Sequence, residues 1–253
     1  MSSTLLEKKN GYARIILNRP PVNALNIEMM VEIGKALESL QDDNHTKLVI
    51  ISSACRVFSA GMDMADHAPT KVFQLIEAFH RIFLAMAEMA KPTVAAVNGP
   101  ALGAGCELAA CCDLVIATEN AKFGQPEIRV GVFPPVATIV FPFLVGRKKA
   151  LELILTGETV EAREALSLGL INRIVPPEKL DESVLETVSK IASNSGSVLQ
   201  LAKKAILSCE GRTFEEALKH AQDLYLNHLM SLEDTHEGLK AFVEKRAPVW
   251  KNR

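Results

Sequence analysis

A chain of 253 residues, 48% of them hydrophobic, has ample material for a buried core and lacks the marks of a disordered segment. Its net charge of −2 and isoelectric point near 6.3 leave no sustained basic surface for nucleic acid or an anionic membrane. The five cysteines have no framework spacing, and no histidine lies between His80 and His220, so reduced structural thiols are expected and no metal site is.

The longest apolar runs, such as "VIISSA" and "TVAAV", fall short of the roughly 20 residues that span a bilayer. The opening "MSSTLLEKKNGY" has no apolar run of the secretory kind, and a cytoplasmic protein is the expectation. In chain order, "YARIIL" (12–17) reads as a strand. "NIEMMVEIGKALESLQ" follows with Met30, Ile33, Leu37 and Leu40 at helical period and Asn26 as its N-cap. "KLVIIS" (47–52) is a second strand, and "RVFSAGMD" (56–63) is a glycine turn behind it. "KVFQLIEAFHRIFLAMAEMA" (71–90) sets Val72, Leu75, Phe79, Ile82, Met86 and Met89 on one helical face, with Pro92 as the stop. "TVAAV" (93–97) and "DLVIAT" (113–118) are further strands, and this alternation predicts an α/β core with largely parallel pairing. Beyond about residue 136 helical patterns prevail, among them "RKKALELIL", "VEAREALSLG" and "FEEALKHAQDLYLNHLM". "IVPPEKLDE" (174–182) reads as a joint, and Thr213 with Glu216 and Ser231 with Asp234 have capping-box spacing.

Between two of these strands lies "NGPALGAGCELAACC", whose Gly99, Gly103 and Gly105 have the spacing of neither phosphate-binding motif. Glycines still allow a tight turn, and the first N–H groups of a helix lack internal partners, so such donors suit any developing anion. Glu107 falls in the first turn of that helix among apolar neighbours, where the helix macrodipole alone also favours an acid. Ala60, Gly61 and Met62 present a second such turn. "FGQPEIRVG" (123–131) adds a second carboxylate, Glu127, which Pro126 holds in a turn and not in a helix.

Together "LNRPPVNAL" (17–25), "RVFSAGMD", "KPTVAAVNGPALGAGCELAACCDLVIAT" (91–118), "AKFGQPEIRVG" (121–131), "LILTGETVEAREALSLGLINRIV" (153–175) and "EGLKAFVEKRAP" (237–248) resemble the enoyl-CoA hydratase/isomerase, or crotonase, superfamily. The resemblance implies a spiral of ββα units over residues 1–195 and a helical oligomerisation region over 196–253, assembling as trimers or hexamers. It implies an oxyanion hole made of the backbone N–H groups of Met62 and Ala104, holding the carbonyl of an acyl-CoA thioester. Glu107 would hold and deprotonate water, and Glu127 would donate a proton to carbon, as a two-carboxylate hydration requires. Coenzyme A would lie along Phe58, Ala60 and Gly61 and meet Phe242 and Lys245, which can also be read as a helix-face core residue and a solvated charge. Coenzyme A is then part of the substrate, and neither metal nor redox cofactor is expected.

The chain departs from the pattern at Pro134 and Pro135, since Pro135 aligns where the family offers an N–H to the reacting water and proline has none. The alternative is that the two prolines only stiffen a loop. The "PPVA" run and "DHAPTKVFQLIEAFHRIF" resemble hydratases of cyclohexa-1,5-diene-1-carbonyl-CoA in aromatic degradation, with Phe73, Leu75, Phe79 and Phe83 as either pocket wall or core. His67 and His80 read as loop and structural residues. The competing functions are double-bond isomerisation, for which one carboxylate suffices, and a non-catalytic acyl-CoA or RNA-binding homologue. The presence of both Glu107 and Glu127 and the absence of net positive charge weigh against them.

Overall fold

The computed structural model describes residues 2–9 and 11–253. Its first part repeats one pattern. The antiparallel pair β1 (Thr4–Lys9) and β2 (Gly11–Leu17) leads through a single bridge residue, Leu25, to helix α1 (Ile27–Gln41). Strand β3 (Thr46–Ser53) leads through Ser59 and Met62 to α2 (Val72–Glu88), and β4 (Thr93–Val97) leads through β5 (Ala101–Leu102) to α3 (Ala104–Ala110). Strand β6 (Leu114–Thr118) leads through β7 (Lys122–Gly124) to a 3-10 turn (Pro126–Val130) and α4 (Ala137–Leu144). Each round lays one strand in a large sheet and one short segment in a second ladder before turning into a helix. The second ladder runs parallel through Leu25 to Met62, Ser59 to Ala101 and β5 to β7.

After α5 (Arg147–Thr156) come β8 (Thr159–Glu161), α6 (Ala162–Ser167) and β9 (Arg173–Val175). The large sheet has the order β1-β2-β3-β4-β6-β9, parallel except at β1, and the small one β5-β7-β8. The remainder is helical: α7 (Leu180–Ala192), α8 (Gly196–Ser208), α9 (Phe214–Asp223), a π-helical turn (Leu224–His228) and α10 (Glu233–Glu244). Among the described residues no helix is long and apolar enough to cross a membrane.

The middle of β3, Leu48 to Ile51, is continuously apolar because both faces of the strand are covered there. Val49 and Ile51 join the main core with α1 and α2, whereas Leu48 and Ile50 meet Leu180, Val184 and Val188 of α7. Each such fully buried aliphatic side chain contributes about 1.5–3 kcal/mol. Asn26 caps α1 by accepting from Met29 N at 3.1 Å, and Met30, Ile33, Leu37 and Leu40 are buried as their period predicts. The Thr213–Glu216 capping box is reciprocal, with Thr213 N donating to Glu216 Oε2 at 2.9 Å and Glu216 N donating to Thr213 Oγ1 at 3.3 Å.

Three local expectations are corrected. Ser231 and Asp234 form no capping box: Ser231 Oγ donates to His228 O, and buried Asp234 instead accepts from Lys251 N at 2.7 Å and Asn252 N at 2.9 Å. The C-terminal tail competes for that carboxylate and takes it. "VEAREALSLG" is not helical throughout, because Val160 pairs with Phe123 in β8 before α6 begins. Helix α2 ends at Glu88, short of Pro92, and Lys91 turns inward, donating to the carbonyls of Leu40, Gln41 and Asp43 at the end of α1.

Candidate active site

The turn after β3 is held by a residue whose importance does not show in its own motif. Asn23 is fully buried with φ 50°; its Oδ1 accepts from Arg19 N at 2.7 Å, and its Nδ2 donates to Ser53 Oγ at 2.8 Å and Phe58 O at 3.0 Å. Arg19 adds an ion pair to Asp63 at 2.7 Å, and Ser59 Oγ donates to Asn23 O at 2.8 Å. These bonds fix residues 58–63 from both ends. Leu25 N donates to Gly61 O and Asp63 N to Leu25 O, so Met62 N between them has no backbone acceptor among the described residues.

Helix α3 begins beside this turn. Gly61 has φ 96°, and a Cβ there would stand 3.0 Å from Leu102 O and 3.5 Å from Ala104 N. That contact brings the Met62 and Ala104 turns together, and Ala104 N likewise lacks a backbone acceptor among the described residues. The two N–H groups occupy equivalent places in successive rounds of the spiral, each three residues beyond a member of the Ser59–Ala101 bridge. At Gly103 φ is 53°, and any Cβ would collide with Glu127 Oε1. Only glycine serves at that position.

Glu107 is fully buried in the first turn of α3, and its Oε1 accepts from Val136 N at 2.8 Å and Ala137 N at 2.7 Å. Its Oε2 and Glu127 Oε2 are buried with no partner among the described residues. Glu127 sits in the one-turn 3-10 helix that Pro126 opens, which amends the expectation of a non-helical turn. Burial raises the Glu107 carboxyl to about 8, aided by the charge of Glu127 and opposed by the N–H groups of Ala137 and Val136. Burial likewise raises Glu127 to about 7. Two acids so close share one proton near neutrality, and its location follows the hydrogen bonds. Two donors on Glu107 Oε1 stabilise its carboxylate against the burial that raises it.

The remaining expected site residues are placed unevenly. Phe58 has its ring in the core, its N–H on Pro100 O and its carbonyl on Asn23, while Ala60 is exposed. Pro135 is half-buried, one residue before the Val136 N–H that Glu107 uses. Phe242 is 85% exposed on α10, which excludes a core role within the protomer, and Lys245 ends that helix at φ 55°. No hydrogen bond or ion pair among the described residues joins either to Glu107 or Glu127. Leu75 and Phe79 are fully buried and Phe83 stacks edge-on against Phe79 at 4.7 Å, so of the four suggested pocket-wall residues only Phe73 is largely exposed. Sequence reasoning missed Asn23 and the Val136–Ala137 amide pair. The available signal for the pair was an apolar helix starting just behind two prolines.

Residues 7–253 match the enoyl-CoA hydratase/isomerase family. The chain is 38% identical to a probable enoyl-CoA hydratase of Mycobacterium bovis over 98% of both chains, and 34% identical to 2,3-dehydroadipyl-CoA hydratase of Escherichia coli over 100% of both. A crystal structure of an enoyl-CoA hydratase subunit from Geobacillus kaustophilus superposes with a TM-score of 0.92 at 34% identity, covering 99% of this chain and 98% of that one. The fold is therefore crotonase-like, α/β with a helical C-terminal region, and the catalytic type is that of a hydro-lyase acting on acyl-CoA. By sequence over nearly its full length and by architecture, the chain belongs to the enoyl-CoA hydratase/isomerase family.

Proposed function

We propose that the chain adds water across the α,β double bond of an enoyl-CoA thioester, with Met62, Ala104, Glu107 and Glu127 as its working groups. The thioester oxygen lies between the Met62 and Ala104 N–H groups, which stabilise the charge that grows there. Glu107 Oε2 takes a proton from water, the water oxygen bonds to the β carbon, and the π electrons move to the thioester oxygen as an enolate. Glu127 then gives its proton to the α carbon, completing addition of H and OH. The observation that carries this reading is the pairing of two acceptor-free N–H groups with two buried carboxyls, each keeping one oxygen unpartnered.

Isomerisation needs only one of those carboxyls, and a non-catalytic binding protein needs neither. The test follows loss of enoyl-thioester absorbance for the unmodified chain, Glu107→Gln and Glu127→Gln. Turnover that falls about 10²-fold or more in each variant supports the two-carboxylate hydratase. Full activity in both removes the assignment of roles, and no turnover in the unmodified chain removes the hydratase.

The Pro134–Pro135 turn supports a cyclic dienoyl thioester as the acyl group, since it reshapes the segment that anchors Glu107. Comparing linear enoyl-CoA with cyclohexa-1,5-diene-1-carbonyl-CoA in the unmodified chain and in Pro135→Gly tests this; an unchanged preference refutes it. Exposed Phe214, Leu218, Tyr225, Leu226, Phe242 and Val243 support assembly as a trimer or hexamer, in which a neighbour's α10 brings Phe242 and Lys245 to coenzyme A.

A further inference from the structure

We propose that the buried carboxamide of Gln125 holds the reacting water, supplying the donor that Pro135 cannot; this rests on the hydratase reading. A water that attacks carbon with one lone pair and loses a proton to Glu107 still has a second lone pair, and buried waters are fixed by about three partners. The run from Pro134 to Ala137 has no N–H to spare. Pro134 and Pro135 carry none, and those of Val136 and Ala137 both donate to Glu107 Oε1, at 2.8 and 2.7 Å.

Among the described residues two buried side-chain nitrogens lack an acceptor, Gln41 Nε2 and Gln125 Nε2. Gln41 is the last residue of α1, beside the Lys91 ammonium that caps that helix. Gln125 stands two residues before Glu127. Its predecessor Gly124 accepts from Gly103 N at 2.9 Å, so the chain leaves β7 alongside the start of α3. Gln125 is fully buried, as is Phe123 two residues before it in β7. Its Oε1 is also unpartnered, as are Glu107 Oε2 and Glu127 Oε2, which makes four of the seven such side-chain atoms members of these three residues. Buried polar atoms are nearly always bonded, and a cluster of exceptions marks where a polar molecule is received.

In the step itself Gln125 gains and loses nothing. Nε2 donates to the water oxygen, Glu107 Oε2 removes one proton, the hydroxyl oxygen bonds to the β carbon, and Glu127 protonates the α carbon. Gln125 is thus a water-binding residue that acts before any bond forms.

The test pairs two reactions in Gln125→Leu and Gln125→Met. One is hydration of crotonyl-CoA. The other is exchange of the α-proton of butyryl-CoA with D2O, in which Glu127 and the two N–H donors act but no water is added. Misplacing the water lowers hydration roughly 100-fold, and exchange stays within about twofold of the unmodified chain. Adding Pro135→Gly to Gln125→Leu returns an N–H to the loop and restores at least part of the lost hydration. Equal loss of both reactions, unchanged hydration, or a double variant with normal exchange and no recovery overturns the proposal and leaves the hydratase reading intact. An unmodified chain that hydrates nothing overturns both.

Discussion

Replacing Glu107 by glutamine separates what the site costs from what it does. The amide keeps an oxygen for the Val136 and Ala137 N–H groups, 2.8 and 2.7 Å away, and removes a charge from a fully buried position. In the folded chain burial raises the Glu107 carboxyl from 4.5 to about 8. The unfolded chain therefore releases this proton first, and stability falls as pH rises from about 4.5 to about 8. At roughly 1.4 kcal/mol per pH unit, the carboxylate destabilises the fold by several kcal/mol at pH 9 and by little at pH 4.5. Denaturant unfolding of Glu107→Gln and the unmodified chain, at one protomer concentration across pH 5, 7 and 9, should give curves that diverge upward in pH, with the variant the more stable. Hydration should fall about 10²-fold or more in the same variant. A stability difference independent of pH would refute the claim that Glu107 is an acid strained by burial.

A coupled pair with one carboxyl charged and the other protonated predicts a bell-shaped pH dependence of hydration kcat/KM, with limbs at about 7 and about 8 that belong to the pair; a flat profile from pH 6 to 9 would contradict it. Gly103→Ala should cost about 1–2 kcal/mol for a left-handed residue with a side chain, and should displace Glu127 enough to lower hydration about 100-fold, read by denaturation and turnover together. Asn23→Ala leaves Arg19 N and Phe58 O without their side-chain partner and should destabilise the chain by about 2–4 kcal/mol, measured as a lower denaturant midpoint, with weakened turnover because the Met62 turn loosens.

What could be read along the chain was whatever neighbours in sequence decide. Four of the six strands and two of the three α-helices in the first 118 residues come from local apolar period, and the Asn26 cap and the Thr213–Glu216 box need only residues three apart. The two glycine turns and both glutamates were legible too, because a turn's backbone conformation and an acid's place in a helix are set within a few residues. Tertiary contact reversed the local signal at Ser231–Asp234, where backbone donors 17 and 18 residues away take the carboxylate. It also decided for Leu75 and Phe79 between pocket wall and core, in favour of the core, since period 3.6 says which residues share a face and not what that face meets.

By itself the sequence determined the central strands and the first two long helices, the residues able to turn the chain, and the two acids. Tertiary structure decided their chemistry. Residues 29 and 30 positions beyond Glu107 hold one of its oxygens, burial raises both carboxyls toward neutrality, and Gly61 brings the Met62 and Ala104 turns together. Solvation and long-range hydrogen bonds set a carboxyl's affinity for its proton, and neither is a property of the residues beside it in the chain.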